Sequence, residues 1–322
     1  MAAPGTAGYV YPIGTPGVAW GGEERKAWLA RVGAPQRSYA EHVLAKLEPL
    51  REKFDVEQYG QLDYSGIVEG GFGARYPLMC VKSRGWSAER PTVLITGGVH
   101  GYETSGVQGV LSFLATQMGA YVDRANFLVA PCVSPWGYEH TQRWTCAALD
   151  PNRGFHAGTP VEECAALQRL IASAGQPFLM HVDCHETTNT DETEFTPAKQ
   201  ARDGGVYTPE PIPDGFYLVG DSENPQHEWH TAMINAVRKV THIAPTDGGG
   251  QLLGEPVTQE GVVVCPVRSI FLCTASTSAR YATTTEVYPD SASTNDEECN
   301  RAQVACIVAG LEFCLKKEEG GK

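Results

Sequence analysis

The sequence predicts an α/β fold in which helices cover a mixed β-sheet. Short apolar runs alternate with longer runs of helical periodicity along the 322 residues, the pattern of a layered α/β sheet. The first two strand-like runs are adjacent and hairpin-like, so antiparallel and parallel pairs are both expected. No fixed-period repeat and no linker breaks the pattern. One domain is therefore expected, residues 56–322, with residues 1–55 forming an N-terminal arm and helix packed on it.

Residues 1–35 are rich in Gly and Pro and read as an irregular surface arm. Ser38 can cap a helix from about Tyr39 to Lys53. Tyr59–Val68 and Tyr76–Lys82 read as strands joined by a turn around Gly70, Gly71 and Gly73. A strand follows that turn where a phosphate loop would open a helix, which argues against nucleotide binding. Next come strand 92–98, helix 103–118, strand 126–133, a loop to about Thr159, a helix at about 160–174 and strand 178–183. Strand 216–220 and helix 225–240 follow, then a loop through Gly248-Gly249-Gly250, strands near 261–265 and 280–287, and a last helix from Asp296 to about Leu315.

Net charge is −13, from 25 basic and 38 acidic residues, which argues against nucleic acid or an anionic membrane as partner. No apolar run approaches the ~18 residues of a membrane helix. The start, Met1-Ala2-Ala3-Pro4-Gly5-Thr6, lacks the basic and apolar segments of a secretory signal, so a cytoplasmic protein is expected. The ten cysteines include no C-x-x-C pair and lie mostly in apolar runs, so reduced, buried thiols are expected.

Four clusters fall at predicted strand ends, where α/β sheets bind ligands. The first is His100-Gly101-Tyr102-Glu103, at a strand-to-helix turn. A His and a Glu three apart can bind one ion, and a nitrogen–oxygen donor set suits zinc. The second is His181-Val182-Asp183-Cys184-His185-Glu186, where alternate residues share a face. His185 is the natural third ligand, Asp183 could orient a ligand histidine, and His181 reads as a core histidine. The third is Arg143 with Asp150-Pro151-Asn152-Arg153, able to hold a carboxylate or polarise a carbonyl. Alone, a surface loop pairing with excess acid would explain it better. The fourth is Thr285-Glu286 before Pro289, a glutamate able to act as general base; alone, an exposed strand glutamate would explain it as well.

In their order these motifs resemble the zinc carboxypeptidase family, which includes the carboxypeptidase A type and the succinylglutamate desuccinylase/aspartoacylase branch. The resemblance spans about residues 60–315, and the short gap from Glu103 to His185 places it nearer the second branch. It implies a three-layer αβα sandwich around a mixed sheet and one zinc ion held by His100, Glu103 and His185. It implies Glu286 as general base, Arg143 as the group polarising the scissile carbonyl, and Asn152 with Arg153 as the carboxylate anchor. Tyr281 and Tyr288 are the weak candidates for the family's substrate-covering tyrosine. The expected partner is a peptide or small molecule with a free carboxylate. The activity is a metallocarboxypeptidase or, alternatively, a deacylase of N-acyl amino acids; a non-catalytic zinc-binding module is the reading of another class. Oligomeric state is left open.

Two further stretches stand out. The run Glu186 to Glu194 holds Asp191, Glu192 and Glu194 and follows the third ligand. It could select an amine-bearing substrate or a second metal, but reads first as a solvated acidic loop. His227-Glu228-Trp229-His230 lacks the i, i+4 histidine spacing of a helical zinc motif and reads as a helix surface.

Overall fold

The structure, a computed structural model, describes residues 2–6, 8–67, 75–209, 211–257 and 259–320. The expected Gly70–Gly73 turn lies outside them. The strands are β1 (Asp55–Asp63), β2 (Arg75–Lys82), β3 (Thr92–Gly97), β4 (Asn126–Ala130), β5 (Phe178–Glu186), β6 (Tyr217–Asp221), β7 (Gln251–Leu252), β8 (Glu255–Pro256), β9 (Val262–Cys265) and β10 (Tyr281–Val287). Eight of them form the central sheet in the order β1-β2-β4-β3-β5-β10-β6-β9, and β7 pairs with β8 as a separate hairpin. Pairing is parallel for β4/β3, β3/β5, β5/β10 and β6/β9, and antiparallel elsewhere. The mixed sheet is as the sequence predicts.

The helices are α1 (Gly22–Arg31), α2 (Ala45–Leu47, inside a helical stretch over 40–52), α3 (Thr104–Thr116), α4 (Pro135–His140), α5 (Glu162–Ser173), α6 (Thr196–Asp203), α7 (His227–Val237) and α8 (Asp296–Gly320). Alternation along the strands divides the core in two. Val93 and Ile95 of β3, with Phe127 and Val129 of β4, pack against Val110 of α3, Met233 of α7 and Leu311 of α8. Leu94, Leu128 and Ala130, from the same strands, pack on the other side against Leu167 and Leu170 of α5. Helices therefore cover both faces, which makes three layers.

Several boundaries differ from expectation for local reasons. The arm is not all irregular: residues 22–31 are good helix formers, and Glu24 Oε2 accepts the Gly21 N–H at 2.8 Å to start α1. The helical stretch after Ser38 starts as expected, the Ser38 hydroxyl accepting the Glu41 N–H at 3.1 Å. It tightens into a 3₁₀ turn over Glu48–Glu52 at Pro49, which has no N–H to continue the α pattern. The segment His227–His230 opens α7, but Trp229 and His230 are buried, not on a surface. All ten cysteines are free and nine are buried. Among the described residues, no helix is long and apolar enough to cross a membrane.

One buried acid lies away from the strand-end clusters. Glu163 of α5 is 1% exposed; it accepts a hydrogen bond from Tyr64, and its second oxygen has no partner. Burial pushes its pKa up to about 7, against the pull of Tyr64. The folded state thus holds a proton that the unfolded chain has released, so stability is full below about 4.5 and falls as pH rises to about 7. We expect Glu163→Gln to remove that loss. Relative to the parent, the variant should gain about 2–3 kcal/mol between pH 5 and pH 8 in denaturant unfolding.

Candidate active site

Parallel pairing brings the clusters together. Thr96 and Gly97 of β3 pair with Asp183 and Cys184 of β5, and Glu286 of β10 pairs with His185. His100 and Glu103 lie in the turn between β3 and α3, beside the end of β5. That turn sits directly on α4: a Cβ at Gly101 would lie 1.9 Å from the backbone carbon of Gly137, so only glycine fits.

His100, Glu103 and His185 are all buried, and their donor atoms lie within 4.8 Å of one another. His100 Nδ1 is 2.7 Å from Glu103 Oε1, and His185 Nδ1 is 2.7 Å from Glu103 Oε2. The second contact has ion-pair distance but not hydrogen-bond geometry, so His185 Nδ1 is a buried nitrogen without a hydrogen-bond partner. The far nitrogens meet carboxylates: His100 Nε2 faces Asp150 Oδ1 at 3.1 Å, and His185 Nε2 faces Asp183 Oδ2 at 2.7 Å. Asp183 in turn accepts the Thr96 hydroxyl at 2.6 Å. With Nε2–H directed at a carboxylate, each imidazole turns its Nδ1 lone pair toward Glu103. A cation between them resolves that repulsion, and carboxylate–histidine pairs of this kind orient metal ligands. The residues therefore fit a divalent metal ion.

The local charges agree. Burial raises the Glu103 carboxyl, but His185 and His100 outweigh it and hold it far below its usual range. Burial likewise opposes ionisation of Asp150, yet Arg143 and His100 keep it well below normal. We expect Asp183→Asn to keep the fold and weaken divalent-metal affinity about 10–100-fold, measured by competition with a chromophoric chelator.

The cluster opens into a cavity of about 610 Å³ that Arg143, Asn152, Arg153 and Glu286 also line. Thr187 donates to Glu286 Oε2 at 3.1 Å, and its hydroxyl meets the Tyr217 hydroxyl at 2.6 Å. Burial pushes Glu286 up to about 8; His185 pulls it down, while Glu103 and Asp191 push it up. Arg143 is wedged between Asp150 Oδ2 at 3.2 Å and Asp191 Oδ1 at 3.4 Å. The Cys273 N–H donates to Asn152 Oδ1 at 2.8 Å, which leaves the amide nitrogen of Asn152 for the cavity. Arg153 is exposed and donates to the Asn152 carbonyl at 2.7 Å. His100, Glu103, Arg143, Asn152, Arg153 and Glu286 thus line one cavity, and His185 joins them through its contact with Glu103.

Other readings change. The run after His185 is not a solvated loop. Glu186 is buried and caps α3, accepting the N–H groups of Thr104 at 2.8 Å and Ser105 at 2.6 Å. Asp191 accepts the Tyr102 hydroxyl at 2.6 Å and the Thr188 N–H at 2.8 Å; Glu192 accepts from Tyr207, and Glu194 from Tyr11. His181 is a core histidine, 3.2 Å from the Thr277 and Thr96 hydroxyls. Tyr281 packs on Trp229, and Tyr288 bonds Asn189; neither lines the cavity, whereas Tyr217 does. Asp150 and Tyr102 lie inside the sequence motifs but were given no role of their own, and Asp191 was read as selecting an amine or a second metal, not as a partner of Tyr102 and Arg143. Arg37 gave no signal at all. Its guanidinium reaches from the arm to the Gly101 carbonyl, the Tyr138 carbonyl and the Thr104 hydroxyl, tying the His100–Glu103 turn to α4.

No protein-family model matches the chain. It is 31% identical over 137 residues to carboxypeptidase 2 of Trichophyton rubrum and 31% identical over 129 residues to that of Trichophyton equinum. These matches cover 37% and 36% of this chain but only 24% and 23% of the relatives, so the chain matches about a quarter of their length. Among solved structures, a Shewanella amazonensis protein provisionally described as a metallopeptidase superposes with a TM-score of 0.60 at 19% identity, covering 85% of this chain and 91% of that one. A metallo-carboxypeptidase of Burkholderia cenocepacia gives 0.55 at 16% identity, over 85% and 69% of the two chains. One of Pseudomonas aeruginosa, in complex with (2-guanidinoethylmercapto)succinic acid, gives 0.54 at 14% identity, over the same shares. The chain has the fold of the metallopeptidases and metallo-carboxypeptidases, with a buried His–Glu–His cluster at the ends of its central strands.

Proposed function

We propose that the protein is a zinc metallocarboxypeptidase, cleaving the amide bond next to the free carboxylate of a C-terminal residue. The observation that carries this reading is Glu286. It is a half-buried carboxylate outside the donor set, beside His185 on the neighbouring strand, in the same cavity as Asn152 and Arg153. A module that only bound zinc would have no use for it.

Zinc held by His100 Nδ1, Glu103 and His185 Nδ1 would supply a Lewis acid and an acidified water. The remaining roles fall to side chains. Thr187 occupies Glu286 Oε2, so Oε1 is free to take the proton of the attacking water and return it to the leaving amine. Arg143, held by Asp150 and Asp191, presents fixed positive charge to the carbonyl oxygen, a contribution of ~3–4 kcal/mol for a well-placed donor. The Asn152 amide and the Arg153 guanidinium hold the substrate carboxylate.

Glu286 accepts a proton only when ionised, so activity rises with pH through its pKa. Without a cation that value is pushed up to about 8, and positive charge in the cluster draws it back toward the ordinary 4.5. The acid limb of kcat/KM is expected between these values.

N-acyl amino acids offer the same amide and carboxylate. Arg153, Glu255 and Val206, the last 83% exposed, leave the cavity rim open, which suits a peptide that must trail outward. The Pseudomonas aeruginosa neighbour is in complex with a succinic acid that bears a guanidinoethylmercapto group, and its carboxylates agree with an anion-binding anchor in this fold. The test is release of amine by zinc-loaded protein from N-blocked dipeptides and from N-acetyl amino acids. Faster cleavage of dipeptides is expected. Cleavage of N-acetyl amino acids alone would make it a deacylase, and cleavage of neither would leave a recognition module.

A further inference from the structure

Arg37 belongs to the N-terminal arm, yet its side chain ends on the turn that carries His100 and Glu103. The backbone around it is pinned to α4. The Gln36 N–H donates to the Glu139 carbonyl at 2.8 Å, and the Tyr39 N–H donates to Glu139 Oε1 at 2.8 Å. From there the half-buried guanidinium lies over the Tyr138 ring, 3.9 Å from its centre. Its N–H groups reach acceptors on three elements. These are the Tyr138 carbonyl of α4, the Gly101 carbonyl of the turn, and the Thr104 hydroxyl of α3 at 2.6 Å.

Those contacts supply an attraction that the turn itself lacks. Gly101 and Gly137 meet backbone to backbone, and a Cβ on Gly101 would lie 1.9 Å from Gly137. Two glycines make room for that approach but bury little apolar surface to hold it. The Tyr102 N–H donates to the Gln142 carbonyl at 3.2 Å, and Arg37 adds a bridge from the Gly101 carbonyl to α4. A guanidinium donates in a rigid planar fork. The Gly101 and Thr104 acceptors, on either side of Glu103 in sequence, are therefore fixed against α4 and against each other. Donors of a metal site must keep their places to within ~0.5 Å.

The geometry points to Arg37 as a positioning residue for the metal centre: its fork sets the His100–Glu103 turn, and thereby how tightly the cluster holds zinc. This rests on the zinc reading of the cluster and adds a control that comes from the arm, outside the sheet. A tie that served stability alone would lower the melting temperature and leave the zinc affinity of the folded protein unchanged.

The test compares the full chain with Arg37→Ala and Arg37→Lys, each checked for folding by circular dichroism. Zinc affinity is measured by competition with a chromophoric chelator. We expect a loss of at least about tenfold in Arg37→Ala, the lower end for removing a group that orients a metal ligand. Arg37→Lys keeps the charge but neither the fork nor the stacking on Tyr138, so it should lose affinity too, and it carries the test if the alanine variant does not fold. Cobalt(II) in place of zinc reads the donor geometry through its visible absorption bands, which should shift in both variants. Unchanged zinc affinity in folded variants would overturn the inference. So would a lysine variant that binds like the parent, or weaker binding with parent-like cobalt bands, since either would assign the effect to charge alone. A parent protein that takes up no zinc would instead end the zinc reading, and this inference with it.

Discussion

Glu286→Gln is expected to lower kcat/KM by about 10³-fold, within the range for loss of a general base, while zinc stays bound. Glutamine keeps the shape and can still accept from Thr187, so the structure around His185 has no reason to move. What is lost is the basic oxygen. The acid limb that Glu286 sets should vanish with the activity, because glutamine has no proton to titrate there. Measuring turnover and bound zinc on one preparation separates lost chemistry from lost metal. Near-normal turnover would remove Glu286 from the mechanism.

His185→Ala has the opposite signature. It deletes one donor and takes the histidine partner from two carboxylates, Glu103 and Asp183, whose side chains are 1% and 0% exposed. Removing one partner of a buried ion pair costs about 3–5 kcal/mol, so the melting temperature of the metal-free variant should fall as well as its affinity. Added zinc raises the stability of a protein that binds it only when folded, by about 2.7 kcal/mol at 100 times Kd. We expect that rise in the parent and little of it in the variant, read by calorimetric melting at matched zinc. A variant that melts like the parent and still responds to zinc would take His185 out of the site.

Much of this site is written locally in the chain. His100 and Glu103 follow one strand-like run, His185 ends another, and Glu286 sits near the end of a third. Because β3, β5 and β10 run parallel and adjacent, residues at the same end of each run must converge. That step needs only strand periodicity and the rule that ligands gather at strand ends. The fold class was legible for the same reason.

What was illegible depends on partners distant in sequence. Asp191 looked like one acid in a solvated run, but it is half-buried because Tyr102 and Arg143, 89 and 48 residues earlier, supply its hydrogen bonds. Glu186 looked like the same run's first member, yet its carboxylate serves the exposed N–H groups at the start of α3. Arg37 lies in a Gly- and Pro-rich arm whose composition suggests no order; its role exists only because Gly101 and Gly137 pack backbone to backbone beside it. α1 was lost in the same composition, although Gly22–Arg31 taken alone is a good helix.

The most direct test of the central claim is anomalous diffraction at the zinc absorption edge from crystals of the zinc-loaded protein. The account predicts one peak, within bonding distance of His100 Nδ1, a Glu103 carboxylate oxygen and His185 Nδ1. A peak elsewhere, or none at this cluster in protein that carries zinc, would contradict it.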